Sequence, residues 1–263
     1  MTAIEVRDCH IFSDVDGTLL AGWDVPQENI DAVARLKKAG GRFSIATGRS
    51  IALARNIASA VGTNAPSILL DGAIIYDYSR EELIDYIALP TGMTDLVEAI
   101  ITNFPEAAIS VSTLYDAYEV GAVREYTPPH HHDYRGRVHE IPGEWLKLVL
   151  ISRPEQFELF MEWLKAHDNR GLSITASGDI FVSVTAAGCS KGAAIKRLCK
   201  LGLTDPANTV AIGDYDNDID MLEVAALAAC PANAVDSVKA RADRVLCRAE
   251  EGAVAQLIEE IMA

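Results

Sequence analysis

Residues 9–20, CHIFSDVDGTLL, decide how the rest of the chain is read. An apolar pair, Ile11 and Phe12, leads into Asp14-Val15-Asp16-Gly17-Thr18, after which Leu19 and Leu20 are apolar again. In an extended chain, residues two apart point to the same side. Asp14 and Asp16 then converge at the end of a strand while Val15 faces away. Two carboxylates that close repel one another and call for a shared cation or proton. Gly17 permits a sharp turn and a close approach of the backbone to a bound group. The same letters also fit a plain strand ending in an Asp-Gly turn. What separates the two readings is whether distant parts of the chain supply partners.

Downstream, helices and strands alternate. Pro26 precedes a helical pattern in which Ile30, Val33, Ala34 and Leu36 recur, with Gly40-Gly41 as the stop. A short apolar strand over 42–46 ends at Thr47-Gly48-Arg49. A helix over 50–61 follows, and a buried strand over 67–70 ends at Asp71-Gly72-Ala73. This alternation predicts an α/β fold, a parallel sheet with helices on both faces. Ligands of such sheets bind beyond the carboxyl ends of the strands, where Asp14, Thr47 and Asp71 all fall.

From about residue 80 the pattern changes. Strands are expected over 83–89, 107–112, 114–120, 146–151, 172–176 and 180–185, and helices over 93–103 and 154–167. Residues 127–143 read as a polar loop rich in Pro, His and Gly, and Ser177-Gly178-Asp179 as a hairpin turn. Two helices on an antiparallel sheet make a separate α+β unit. The alternating pattern resumes with a helix over 190–201, a strand over 209–213 and a helix over 218–224. Strands over 226–230 and 244–247, a helix near 235–241 and a last helix from 251 complete it. The first domain is therefore interrupted by an inserted one.

The 263 residues suffice for one large domain or two ordinary ones, and 49% hydrophobic with 23% charged residues is globular composition. A net charge of −15 argues against nucleic acid or an anionic membrane surface as partner. A phosphorylated substrate would also be repelled at long range, so a cation and local positive groups would have to offset that charge. The five cysteines, Cys9, Cys189, Cys199, Cys230 and Cys247, are scattered with no C-x-x-C pair, which suits buried thiols in a reducing compartment. No run approaches membrane-spanning length and the N-terminus has no secretory pattern, so a cytoplasmic protein is expected.

Other positions carry chemistry. Asp214 and Asp218 lie in Gly213-Asp214-Tyr215-Asp216-Asn217-Asp218 after an apolar strand, where carboxylates can hold Mg²⁺ through oxygen. A calcium-loop reading fails, because Ile219 stands where that motif needs Gly and Ala225 where it needs Glu. Helix N-capping accounts for Asp218 but poorly for the whole cluster. Thr47 and Gly48 stand where a helix begins and suit a phosphate oxygen, or a simple cap. Lys191, after Ser190, opens another helix and taken singly reads as a solvated lysine. No G-x-x-x-x-G-K-[ST] or G-x-G-x-x-G phosphate loop occurs. His130-His131-His132, in a Pro/Gly-rich setting without cysteines, reads as part of a solvated loop.

Asp14-Val15-Asp16-Gly17-Thr18, Thr47-Gly48-Arg49, Ser190-Lys191-Gly192, and Gly213-Asp214 with Asn217, Asp218 and Met221 resemble, in order, the four motifs of the haloacid dehalogenase-like superfamily. The insertion between the second and third motifs resembles the cap of its Cof-type branch, subfamily IIB. The resemblance spans essentially the whole chain. It implies a Rossmann-like catalytic core over 1–81 and 188–263 and an α/β cap over 82–187. It implies a Mg²⁺-dependent phosphatase of small phosphorylated metabolites, sugar phosphates above all, with a phosphomutase as the near alternative. A phospho-ligand binding protein without turnover is a third reading, disfavoured because a binder has no need of Asp16.

By that resemblance Asp14 is the nucleophile and Asp16 the general acid and base. The metal is held by Asp14, the backbone carbonyl of Asp16, Asp214 and Asp218, the last directly or through water. Gly17, Thr47, Gly48, Lys191 and Asn217 hold the phosphoryl group, Thr47 and Lys191 as part of the catalytic set. Asp71-Gly72-Ala73 departs from the Asn-Gly-Ala common in that branch, which leaves the Asp71 side chain without an inherited role.

Overall fold

The computed structural model describes residues 4–123, 131–168, 171–177 and 180–263. They form two compact units, one of Met1–Arg49, Ala54–Asp85 and Ser190–Ala263, the other of Ser50–Leu53 and Tyr86–Cys189. The chain opens with β1 (His10–Ser13), every residue of it buried, then α1 (Gln27–Lys38), β2 (Arg42–Ile45) and α2 (Ile51–Val61). Helix α1 begins directly after Pro26, whose missing N–H costs nothing at a helix start. It buries Ala32, Val33 and Leu36 as the spacing requires. Its buried Asn29 donates to the Leu19 carbonyl at 3.1 Å and accepts from the Ala255 N–H at 2.9 Å, tying the loop after β1 to the C-terminal helix.

Next come β3 (Ser67–Leu69), β4 (Ile74–Asp77) and β5 (Glu82–Tyr86), which make a three-stranded sheet in that order. Strand β4 is absent from the sequence reading. Residues 74–77 are all buried, so they lack the alternation that marks a half-exposed strand. An isolated parallel bridge, Ala46↔Ile68, links β3 to the end of β2.

The second unit comprises α3 (Met93–Asn103), β6 (Ala108–Ser112), β7 (Ala117–Glu119), β8 (His131–Asp133), β9 (Lys147–Ile151), α4 (Phe157–His167), β10 (Ser173–Ser177) and β11 (Phe181–Thr185). The sheet order is β10-β11-β9-β6-β7-β8, antiparallel except for the parallel pair β7–β8. Val97, Ile100, Phe104, Phe160 and Leu164 of the helical layer join Ile109, Val111, Leu148, Leu150, Val182 and Val184 in one apolar cluster. Alternation along β6 sends Ser110 and Ser112 to the opposite face from Ile109 and Val111.

Strand β8 corrects the expected loop. His131 places Nδ1 2.6 Å from Glu119 Oε1, and His132 places Nε2 3.1 Å from Asp116 Oδ1. A three-residue polar strand has no hydrophobic period; pairing with β7 and these side-chain contacts hold it. His130 and the start of that loop, and the turn at Gly178-Asp179, lie outside the described residues.

The chain then continues with α5 (Lys191–Lys200), β12 (Thr209–Ile212), α6 (Ile219–Val224), β13 (Leu227–Cys230), α7 (Asp236–Lys239), β14 (Arg244–Val245) and α8 (Ala253–Met262). The five-stranded sheet runs β14-β13-β12-β1-β2 and is parallel throughout. Because β1 and β12 are neighbours in register, with Ser13 opposite Ile212, the segments following them emerge side by side. Asp14 and Asp214, 200 positions apart by their numbers, meet there for that reason. All five cysteines are free, three of them buried. Among the described residues no helix is long and apolar enough to cross a membrane.

Candidate active site

The site is built at the carboxyl ends of β1, β2, β3 and β12. Asp14 leaves β1 with its N–H on the Ile212 carbonyl at 2.9 Å, and its side chain is buried. Asp14, Asp214 and Asp218 each offer a carboxylate oxygen within 4.8 Å of the others. Lys191, at the first position of α5 and 1% exposed, donates to Asp14 Oδ1 and to Asp218 Oδ1, both at 2.6 Å. Taken singly, a lysine at this helix start reads as solvated; the structure buries it between two carboxylates.

Each carboxylate is differently engaged. Asp218 is 0% exposed, and its second oxygen accepts the N–H groups of Asp214 (3.0 Å) and Tyr215 (3.1 Å). It therefore anchors both Lys191 and the loop that carries Asp214. Asp214 accepts the Thr18 hydroxyl at 3.0 Å. Gly17 is required below it: φ is +82°, and a Cβ there would lie 2.4 Å from Asp214 Oδ2.

Three carboxylates face one ammonium, and the electrostatics follow. Burial pushes the Asp14 carboxyl well above its ordinary range, a rise the Lys191 ammonium opposes and the Asp218 and Asp214 charges reinforce. Asp214 is pushed up to about 6, first by burial and then by the Asp218 charge. Burial alone would lower Lys191, but the Asp14 and Asp218 charges outweigh it and keep the ammonium protonated. A buried group with this surplus of negative charge and only oxygen donors fits a hard divalent cation such as Mg²⁺.

Asp16 stands apart from this cluster. Its side chain is 61% exposed, and both its oxygens are taken by the Arg49 guanidinium, Nε to Oδ2 at 2.9 Å and Nη2 to Oδ1 at 2.5 Å. Thr47 is 1% exposed and its hydroxyl accepts the Arg49 N–H at 3.2 Å. Gly48 and Asn217 are half-buried, the latter on the 3-10 turn Asp216–Asp218.

Several contributors carry no recognised role in the sequence reading. Thr18 and Arg49 lie inside quoted motifs, so a signal existed for them. Asn233 does not: its side chain donates to the Gly17 carbonyl at 2.7 Å and accepts the Ala249 N–H at 2.9 Å, bracing the first loop from across the chain. Asp220 accepts the Gly192 N–H at 3.0 Å, fixing the start of α5 beside α6.

The sequence matches the family model of haloacid dehalogenase-like hydrolases over residues 11–258. It is 31% identical over 253 residues to the 5-amino-6-(5-phospho-D-ribitylamino)uracil phosphatase YcsE of Bacillus subtilis, covering 93% of this chain and 92% of that protein. It is 26% identical over 261 residues to the pyridoxal phosphate phosphatase YbhA of Escherichia coli, covering 93% of this chain and 95% of the relative. The fold superposes on the crystal structure of a haloacid dehalogenase-like hydrolase from Bacteroides thetaiotaomicron with a TM-score of 0.86 at 18% identity, covering 96% of this chain and 99% of the other. With a match that runs nearly end to end and a buried acid cluster at the strand ends, the chain belongs to the haloacid dehalogenase-like hydrolases.

Proposed function

We propose that this chain is a Mg²⁺-dependent phosphatase that hydrolyses small phosphomonoesters, sugar phosphates among them, through an aspartyl-phosphate on Asp14. The observation that carries the reading is the carboxylate triad of the buried Asp14 and Asp218 with the half-buried Asp214, and Lys191 on two of its members. The similarity to relatives named as phosphatases of a phosphoribityl compound and of pyridoxal phosphate supports the substrate class.

Asp14, the Asp16 carbonyl and Asp214 would hold Mg²⁺, with Asp218 directly or through water, since Lys191 and two backbone N–H groups already engage Asp218. When bound, the ion offsets the surplus negative charge and polarises a phosphoryl oxygen. An Asp14 oxygen attacks phosphorus as the ester P–O bond breaks, and Asp16 gives its proton to the departing alkoxide. Water then attacks the phosphorus of the aspartyl-phosphate, Asp16 takes back a proton, and Asp14 and inorganic phosphate are released. Lys191, the Thr47 hydroxyl and the Gly48 N–H hold the phosphoryl oxygens while charge redistributes. Asp16 must leave Arg49 to act, because the guanidinium occupies both of its carboxylate oxygens.

The inserted unit is proposed to contribute to substrate selection, since Lys191, Thr47 and Gly48 grip only the phosphate that all monoesters share. The test of the function is release of inorganic phosphate from a panel of phosphorylated metabolites, with Mg²⁺ and with chelator. Metal-dependent release is expected; binding without release would make the chain a phospho-ligand binder, and isomerised product without release a mutase.

A further inference from the structure

The loop after β3 carries a further acid, Asp71, beside the Thr47 loop of the site, on backbone in a region that non-glycine residues seldom adopt. Leu70, Asp71 and Gly72 have φ of +47°, +53° and +93°, three successive residues in the left-handed region, two of them not glycine. Non-glycine residues persist there only when their surroundings over-determine them. Here they do. The Leu70 N–H bonds the Arg49 carbonyl and the Asp71 N–H bonds the Thr47 carbonyl, each at 3.1 Å. Arg197 Nη2 donates to the Gly72 carbonyl at 2.9 Å. A Cβ on Gly72 would lie 2.1 Å from the Ser190 carbonyl oxygen, so only glycine fits. The backbone is thus pinned on one side to the loop that presents Thr47 and on the other to the residue before Lys191. The half-buried Asp71 is carried between them. Its charge is among those that keep the Lys191 ammonium protonated, after Asp14 and Asp218.

Nothing in the phosphoryl chemistry needs this acid. Asp14, Asp214 and Asp218 already outnumber Lys191, and a further negative charge repels a phosphate dianion. Such a group is worth its cost when it meets something on the substrate other than the phosphate. A carboxylate accepts hydrogen bonds and attracts cations, and it rejects a second anion.

We propose that Asp71 is a substrate-selecting residue that reads the organic part of the ester next to the phosphate, favouring a phosphomonoester with a hydroxyl or ammonium donor there and rejecting one with a second anionic group. The proposal rests on the phosphatase reading above and narrows its substrate class to polyol or amino-alcohol monophosphates.

The test is a matched series of two-carbon esters differing at one position: ethanolamine phosphate, ethylene glycol monophosphate, ethyl phosphate and phosphoglycolate. In the wild-type protein with Mg²⁺, kcat/KM should fall in that order. In Asp71→Asn, ethanolamine phosphate should lose about tenfold relative to ethyl phosphate and phosphoglycolate should gain about tenfold, the scale of one charge pair in a partly buried site. Reading ratios to ethyl phosphate cancels any general effect on Lys191. Asp71→Gly, which accepts the positive φ without strain, should reorder the series the same way, so the test does not depend on one variant folding. An equal change across the series in both variants, or a wild-type preference for phosphoglycolate, overturns the assignment of Asp71 alone. Absence of phosphate release from all four esters and from p-nitrophenyl phosphate overturns the phosphatase reading and this inference with it.

Discussion

The two units spend their charged residues differently. In the first, two buried carboxylates, the half-buried Asp214 and a buried lysine are gathered at the ends of parallel strands. In the second, pairs such as His132–Asp116, His139–Glu98 and Arg153–Glu106 lie at the surface, the buried Glu119 is paired with His131, and most of the interior is an apolar seam between two helices and a sheet. Exposed pairs contribute about 0–1 kcal/mol each. Buried charges outnumbering their partners cost stability and are retained for chemistry. The first unit therefore concentrates function where it is least comfortable, and the second unit is held by packing.

The largest expected effect is at Asp14. Asp14→Asn should abolish turnover while leaving the metal-free protein as stable as before or more so, because one buried charge is gone; thermal unfolding alongside a phosphate-release assay checks both halves. A loss of stability with Asp14→Asn would break the contrast between the units. Asp16→Asn should slow alkyl phosphates by about 10²–10⁴-fold, with a smaller loss on aryl phosphates, whose leaving groups need less protonation. Equal losses on both classes would contradict the role given to Asp16.

In the second unit, Phe160→Ala should cost about 3–5 kcal/mol of stability, since Phe160 is 0% exposed and meets Phe104 edge-on at 4.9 Å between ring centroids. Chemical denaturation measures it. The pH dependence sharpens the comparison further. Asp14 and Asp214 are raised in the metal-free fold, Asp214 to about 6, so the folded state binds protons more tightly than the unfolded chain. Stability of the metal-free protein should then rise as pH falls through about 6, and be lost as pH rises through it. Mg²⁺ competes for the same oxygens, so its stabilising effect should be largest above that pH and shrink below it. A Mg²⁺ effect on unfolding temperature independent of pH would contradict the shared-charge account. The smallest effect is at the surface of the second unit, where His132→Ala should change stability by no more than about 1 kcal/mol.

The parts of this arrangement legible in the sequence are those set by local signals. Asp14, Thr47, Lys191 and Asp214 each stand directly after an apolar strand or at the first turn of a helix, and a parallel sheet brings such positions to one edge. What was not legible depends on partners chosen across the chain. Asp16 and Arg49 each have several possible partners, and only the fold pairs them. Asn233 braces the Gly17 carbonyl through a loop that carries no motif. Strand β8 is polar and short, and exists because β7 and Glu119 are beside it. The left-handed run at Leu70 and Asp71 is hard to see in the sequence, since a leucine gives no sign of a positive φ and an aspartate only a weak one.

The central claim is that Asp14 is the atom-bearing nucleophile. The direct measurement is a rapid quench of Asp16→Asn, which should slow hydrolysis of the intermediate, during turnover of an aryl phosphate with Mg²⁺. Borohydride reduction then converts an aspartyl-phosphate to homoserine, which peptide mass spectrometry locates. Homoserine at position 14 is the predicted result. Phosphate release with no modified residue, or with the modification at another carboxylate, would contradict the account.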